Sequence, residues 1–191
     1  MPSPELRVFV AIDIPSSEVL SNLSRARDLL VETGADLKPV ATENLHLTIR
    51  FIGEVPIKIV NEICRGLSNL VFKPFKIRVS GIGVFPSIAR PRVIWAGVSE
   101  GVRELVQIHD EVNAVLAKLG MPPEREKFVP HVTLARVRSS RNLSRLVKVI
   151  NSIISMEFGE FVVDRVTLKK STLTPSGPIY NDVCSVKAKE Q

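Results

Sequence analysis

The sequence predicts an α+β protein made of two related, interleaved lobes. Strand-like and helix-like segments alternate along its 191 residues in an order that occurs twice. When the chain is shifted by 85 residues, RVFVAI at 7–12 falls on RVIWAG at 92–97, and HLTI at 46–49 falls on HVTL at 131–134. No long linker interrupts this pattern, which indicates one domain over 1–191 with an internal repeat.

The first half of the chain is predicted to contain three strands and two helices. LRVFVAIDI at 6–14 is an apolar run typical of a buried strand, and Pro15 ends it. The segment 16–34 begins with a serine cap, carries leucines at helical spacing and closes at Gly34, which indicates an amphipathic helix. The segments that follow are a strand at 44–55, a helix at 57–70 and a strand at 75–85.

The second half repeats this order. RPRVIWAGV at 90–98 is typical of a strand, and the segment 101–120 has helical periodicity up to a terminal glycine. The remaining predicted elements are a strand at 130–138, a helix at 142–155, and strands at 157–171 and 180–187.

Each half carries one histidine inside a predicted strand, with a threonine two residues later. Side chains at i and i+2 of a strand point to the same face, so His46 shares a face with Thr48, and His131 with Thr133. The residues between them are apolar and are expected to point into the core. If a pseudo-twofold axis relates the lobes, the two pairs meet across a cleft.

These side chains suit the cleavage of a phosphodiester. The reaction needs a base for the attacking oxygen and an acid for the leaving oxygen, and histidine serves in either role near neutral pH. Threonine hydroxyls can donate hydrogen bonds to the non-bridging oxygens. Arg136 is the nearest candidate for a charge-assisted bond to phosphate. Arg50 is a weaker analogue, because it shares the His46 face only if its strand is regular.

Several other residues have two interpretations. A single His-x-Thr is weak evidence, since threonine is common in strands, but two copies at the 85-residue offset favour a function over two unused strand histidines. Phe51 is expected either to pack in the core or to stack on a nucleobase. Arg90 and Arg92, and likewise Arg125 and Lys127, are either solvated or line a basic approach to the cleft.

The composition limits the remaining possibilities. The net charge of +6 favours polyanions such as nucleic acid, although solubility alone also explains it. Cys64 and Cys184 are far apart without metal-ligand spacing, so we expect no disulfide and a reducing cytoplasm. Three histidines and two isolated cysteines do not make a typical structural zinc site, and His109 is expected to pack at a helix surface.

The sequence has no pattern that predicts a targeting segment or a bound cofactor. No apolar run approaches the roughly 20 residues of a membrane span, and the N-terminus does not have the pattern of a signal peptide. A G-x-x-x-x-G-K-[ST] loop, which would bind ATP, is absent. We therefore expect no cofactor and no metal.

The paired motifs resemble those of the 2H phosphoesterases, and most of all the RNA 2′,3′-cyclic phosphodiesterase branch, also called LigT-like or 2′-5′ RNA ligase-like. ENLHLTIRFIGEV at 43–55 and VPHVTLARVR at 129–138 are similar to the two signature stretches of this branch. RVFVAIDIP at 7–15 and RPRVIWAGV at 90–98 are similar to the strands that open its lobes, and STLTPSGPIY at 171–180 is similar to a run near its C-terminus. The resemblance covers nearly the whole chain.

The resemblance implies a bilobal 2H phosphoesterase fold in which two antiparallel sheets form a central cleft, with helices outside. It implies metal-independent hydrolysis of RNA 2′,3′-cyclic phosphate ends to 2′-phosphates. It further implies that His46 is the proton donor, that His131 is the proton acceptor, and that Thr48, Thr133 and Arg136 bind the phosphate. The residues alone do not decide which histidine is the acid. The implied partners are RNA ends, tRNA halves among them, and a monomer suffices because both half-sites lie in one chain.

Alternatives to RNA end hydrolysis remain open at this point. The reverse reaction would join RNA ends through a 2′-5′ bond, and the same site could act on small cyclic nucleotides or 2′-5′ oligonucleotides. A non-catalytic RNA-binding module would tolerate the loss of His46 and His131, whereas changes to arginine and lysine would weaken its binding. The presence of two complete motifs argues against that last alternative.

Overall fold

Nine strands form one antiparallel sheet in the computed structural model, which describes residues 4–189. The strands are β1 (Glu5–Asp13), β2 (Leu37–Pro39), β3 (His46–Pro56), β4 (Phe75–Ser87), β5 (Arg90–Glu100), β6 (His131–Val137), β7 (Glu157–Val163), β8 (Arg165–Thr174) and β9 (Gly177–Lys187). The helices are α1 (Ser17–Val31), α2 (Ile57–Leu67), α3 (Val102–Lys118) and α4 (Leu143–Ser152).

The predicted elements are present, with three differences. Ser16 caps α1 as predicted, and its side-chain oxygen accepts a hydrogen bond from the Val19 N–H at 3.2 Å. The segment predicted as one strand at 157–171 is two strands, which are separated at Asp164. The short strand β2 and a 3-10 turn at Thr42–Asn44 were not predicted, because three-residue elements carry too little periodicity to detect.

The sheet consists of two halves that meet at a single residue pair. The strand order is β7-β4-β5-β6-β3-β1-β8-β9, and β2 pairs with β6. The halves join where Leu47 of β3 lies opposite Val132 of β6, two residues that are 85 positions apart. The strand β4 pairs with β5, and β8 pairs with β1, so each half of the sheet contains strands from both halves of the sequence.

The predicted fold class is confirmed, although the two expected sheets are joined into one curled half-barrel. The helices cover one face of this sheet: α1 packs on β6 and β7, and α3 packs on β3. The apolar residues that alternate with the motif histidines point to this covered face and are buried, among them Leu47 and Val132. The histidines and threonines therefore lie on the opposite, uncovered face.

Cys64 and Cys184 form a disulfide bond, so the expectation of no disulfide is wrong. Cys64 lies in α2 and Cys184 in β9, and the fold packs this helix against this strand although 120 residues separate the cysteines. Proximity of this kind depends on the tertiary fold and leaves no mark in the spacing of the sequence. Within residues 4–189, no helix is long and apolar enough to cross a membrane.

Candidate active site

A cavity of about 260 Å³ opens on the uncovered face of the sheet, where the two halves meet. The structure brings both histidine motifs to its wall, as the face alternation predicts. The predicted phosphate-site residues that line it are His46, Thr48, His131, Thr133 and Arg136. The remaining wall comes from β1, from β2 and the turn after it, and from the β8–β9 hairpin.

A bulge in each histidine strand determines which later side chains reach the cavity. Ile49 has no partner residue in β1, and Leu134 has none in β5, so the alternation of faces shifts by one residue at both places. The fifth residue after each histidine, Phe51 or Arg136, consequently lines the cavity. Arg50, the fourth, is turned into the interior and is 8% exposed, so its expected role as an analogue of Arg136 is wrong.

Arg50 instead fixes the segment that leads to His131. Its guanidinium lies 3.1 Å from a carboxylate oxygen of Glu124 and donates a hydrogen bond to the carbonyl of Pro122 at 2.7 Å. The ring of His109 bonds the other oxygen of Glu124 at 2.8 Å and is therefore part of the same anchor. This is the packing role predicted for His109.

The two catalytic candidates are held in the same way. Nδ1 of His46 lies 2.7 Å from the carbonyl oxygen of Asn44, and Nδ1 of His131 lies 2.6 Å from that of Val129. A carbonyl only accepts, so Nδ1 carries the proton in both rings, and Nε2 of a neutral ring carries the lone pair. Nε2 of His46 is 2.8 Å from Oγ1 of Thr48, whereas Nε2 of His131 bonds no side chain in the described part of the chain.

Two aromatic rings flank each histidine. The ring-centroid distances are 5.0 Å from Phe9 and 5.3 Å from Tyr180 for His46, and 5.2 Å from Phe85 and 5.5 Å from Trp95 for His131. These rings exclude water from the imidazoles and restrict their rotation. The site is thus formed before any substrate binds.

Burial lowers the pKa of both histidines below the ordinary value of 6.5. Loss of hydration is the largest cause in each ring, and the backbone hydrogen bonds at Nδ1 partly oppose it. The positive charge of Lys169 lowers the pKa of His46 further, and that of Arg136 lowers the pKa of His131. Both rings are therefore mainly neutral at pH 7 when no anion is bound.

Among residues 4–189, three cations and no carboxylates line the cavity. Besides Arg136, they are Arg7, whose guanidinium carbon lies 5.0 Å above the ring of Phe51, and Lys38, which is opposite Arg136 in the β2–β6 pairing. Such a wall attracts anions and offers no carboxylate ligand to a hard divalent cation. Arg7 and Lys38 were not predicted as site residues, because Arg7 precedes the apolar part of β1 and Lys38 belongs to the unpredicted β2.

Phe51 is 48% exposed and lines the cavity, so the core interpretation is wrong for this residue, and stacking on a base remains a prediction. The four other predicted contacts, Arg90, Arg92, Arg125 and Lys127, are exposed and do not line the cavity. Arg92 is the counterpart of Arg7 at the 85-residue offset, but only Arg7 lines the cavity.

Comparison with known proteins identifies the family. The model of the family described as LigT like Phosphoesterase matches twice, over residues 12–95 and 97–180. The chain belongs to the LigT-like phosphoesterases. The second match begins 85 residues after the first, which is the offset of the two histidine motifs in this LigT-like chain.

Two similar relatives carry the name RNA 2′,3′-cyclic phosphodiesterase. The protein of Aeropyrum pernix is 44% identical over 170 residues, which cover 89% of this chain and 97% of the relative. The protein of Methanothermobacter thermautotrophicus is 36% identical over 186 residues, which cover 94% of this chain and 97% of the relative.

Two solved structures share the LigT-like fold. TT0787 of Thermus thermophilus is 28% identical with a TM-score of 0.79, and the match covers 95% of this chain and 97% of that one. LigT of Escherichia coli, solved in its apo form, is 24% identical with a TM-score of 0.76, over 98% and 100% of the two chains. The second likeness concerns the fold alone.

Proposed function

We propose that this protein hydrolyses the 2′,3′-cyclic phosphate ends of RNA to 2′-phosphates by acid–base catalysis with two histidines and without a metal. The observation that carries the proposal is the pairing of His46 and His131 in one cationic cavity, with both Nδ1 atoms bound to carbonyls, so that proton transfer falls to the Nε2 atoms. Family membership and the names of the relatives support the substrate.

The proposed reaction is an in-line displacement at phosphorus. Nε2 of His131 takes a proton from a water molecule as the water oxygen bonds to phosphorus. The bond from phosphorus to O3′ breaks on the opposite side, and protonated His46 gives its proton to that oxygen. The product has a 2′-phosphate and a free 3′-hydroxyl. The hydroxyls of Thr48 and Thr133 and the guanidinium of Arg136 stabilise the charge on the non-bridging oxygens.

The hydrogen bonds of the two rings support this assignment of roles. Nε2 of His131 has no side-chain partner between residues 4 and 189, so it is free to bind the attacking water. Nε2 of His46 is already oriented by the hydroxyl of Thr48, which suits a ring that gives its proton to a fixed oxygen. When an RNA 5′-hydroxyl replaces water as the nucleophile, the same displacement of O3′ gives 2′-5′ ligation, and the reverse reactions exchange the roles of the two rings.

The test of the proposed function uses an RNA oligonucleotide that ends in a 2′,3′-cyclic phosphate, incubated with the protein in EDTA. We expect a product with a terminal 2′-phosphate, identified by its mass and by its resistance to enzymes that need a 2′-hydroxyl. A 3′-phosphate would contradict the assignment of the leaving oxygen. Activity that EDTA abolishes and a divalent cation restores would contradict the metal-free mechanism.

The pH dependence follows from the lowered pKa values. Turnover needs one ring protonated and the other neutral, so kcat/KM is highest between the two apparent pKa values of the pair. Since burial lowers both from 6.5, we expect the maximum of kcat/KM below pH 6.5 and a fall above it, as the acid loses its proton. A bound phosphate anion stabilises the imidazolium form of the rings. We therefore expect the maximum of kcat at a higher pH than the maximum of kcat/KM. A maximum of kcat/KM above pH 7 would contradict this.

Loss of one threonine hydroxyl is expected to slow the reaction. We expect Thr48→Ala and Thr133→Ala each to lower kcat by about 10- to 1,000-fold, the cost of one donor to a developing oxyanion. Thr48→Ser and Thr133→Ser are matched controls, since they keep the hydroxyl and should retain most of the activity. Steady-state kinetics of the four variants is the measurement, and alanine variants as active as their serine counterparts would rule out the role.

The proposal also covers the substrates, the oligomeric state and the compartment of the protein. The substrates are RNA ends, with tRNA halves as candidates, and the protein acts as a monomer because one chain supplies both half-sites. It acts in the cytoplasm. A disulfide there is unusual, because cytosolic cysteines stay reduced as a rule.

A further inference from the structure

A second cavity of about 480 Å³ adjoins the first and has no role in the reaction described above. It lies between β2 and the turn that joins β8 to β9, and we name it the β2 groove. The β2 groove shares part of its wall with the catalytic cavity, including Lys38, Asn44, Arg136 and Tyr180. A chain that leaves the catalytic cavity through this shared wall enters the β2 groove.

The β2 groove has a positive charge that the fold does not neutralise. Lys38, Arg136 and Arg138 line it, and no carboxylate of the described residues does. Lys38 lies directly opposite Arg136 in the pairing of β2 with β6, an arrangement of like charges that destabilises a sheet. Within the described chain none of the three forms an ion pair, whereas Arg27, Arg78 and other cations elsewhere do.

The walls of the β2 groove are held in place without a ligand. The side-chain amide of Asn44 donates a hydrogen bond to the carbonyl of Pro178 at 3.0 Å, which ties the turn after β2 to β9 where the two cavities meet. The hydroxyl of Thr174 donates to the carbonyl of Gly177 at 2.6 Å and is 3.0 Å from that of Ser176. A preformed groove with unneutralised cations suits the phosphates of a nucleic acid strand.

We infer that the β2 groove binds the phosphodiester backbone of the nucleotides on the 5′ side of the cyclic end. The inference rests on the proposed function and deepens it, since it says that the protein recognises the RNA strand next to the cyclic end and not the cyclic end alone. The cyclic phosphate occupies the catalytic cavity, and the next phosphates of the strand accept charge-assisted bonds from Lys38 and Arg138. A nucleoside 2′,3′-cyclic phosphate has no such phosphates and leaves the β2 groove unused.

The test compares a nucleoside 2′,3′-cyclic phosphate with a trinucleotide that has the same terminal base and the same cyclic end. The unaltered protein is expected to have a higher kcat/KM for the trinucleotide, by about 10-fold or more, mainly through KM. Arg138→Gln is the informative variant, since Arg138 lines the β2 groove but not the catalytic cavity. We expect it to remove most of the trinucleotide advantage, to leave the mononucleotide rate unchanged and to weaken the salt dependence of KM for the trinucleotide. Arg138→Lys should restore part of the advantage.

Arg103→Gln is the matched control, because Arg103 is an exposed arginine of α3 that lines neither cavity. It should leave both substrates unaffected. Equal rates for the two substrates with the unaltered protein would overturn the inference and leave the proposed function intact. An equal loss of kcat/KM for both substrates in Arg138→Gln would also overturn the inference, since such a loss points to a structural role of Arg138. If the unaltered protein hydrolyses neither substrate, the proposed function fails and the inference falls with it.

Discussion

Replacing His46 or His131 by alanine is expected to lower kcat by about 100- to 10,000-fold, the usual contribution of one general acid or base. In the part of the chain that the structure describes, His46 and His131 are the imidazoles of the cavity, and its lining contains no carboxylate that can take over proton transfer. KM should change less than kcat, because Arg7, Lys38 and Arg136 still attract the phosphate. Steady-state kinetics on an RNA cyclic phosphate measures both parameters.

The fold is expected to survive these changes, since the adjoining residues Leu47 and Val132 supply the buried contacts of each strand. Thermal unfolding of each variant is the control. The double variant should be little slower than the slower single one, because two residues that act in one step are not additive. Turnover at the unaltered rate in either single variant would exclude the mechanism.

A modified substrate separates the acid from the base. When sulfur replaces the leaving O3′, departure no longer needs protonation, so the loss in a variant of the acid becomes small while the loss in a variant of the base persists. We expect the sulfur-containing substrate to restore the turnover of His46→Ala but not that of His131→Ala. Rescue of His131→Ala alone would reverse the assignment, which rests on the free Nε2 of His131 and the Thr48 bond of His46.

The placement of the two histidines could be predicted from the sequence because it depends only on local geometry. Alternation along a strand puts His46 with Thr48 and His131 with Thr133, and the apolar residues between them set the buried face. The cap at Ser16 is likewise local, since its partner is three residues away. The 85-residue repeat then indicated that the two strands occupy equivalent positions in the two lobes.

What the sequence did not predict depends on contacts between distant segments. The bulges at Ile49 and Leu134 arise from the pairing of two strands, and the one at Ile49 reverses the expected orientation of Arg50. A regular strand would also have turned Arg136 away from the cavity. Arg136 was predicted because it lies near the second motif, and the family resemblance, but not alternation, supported it. Lys38 was missed for a similar reason, because β2 is recognisable only through its pairing with β6.

Breaking the Cys64–Cys184 bond is expected to lower the free energy of unfolding by roughly 4 to 5 kcal/mol. The bond joins residues 120 positions apart, and the loss of chain entropy that it imposes on the unfolded state grows with the length of the closed loop. For a chain of this size, the melting temperature should fall by roughly 10 to 20 °C. Thermal unfolding with and without a reductant measures the effect.

The Cys64→Ala, Cys184→Ala double variant is the control for this prediction, since it should melt like the reduced protein and ignore the reductant. Thiol titration of the unfolded, unreduced protein should find no free thiol. If none is found and reduction still leaves the melting temperature unchanged, the entropic argument fails for this bond. Far below the melting temperature, reduction should change kcat little, because β9 stays paired with β8 and so keeps Tyr180 beside His46. A fall in kcat under those conditions would instead make α2 and the disulfide part of what positions the site.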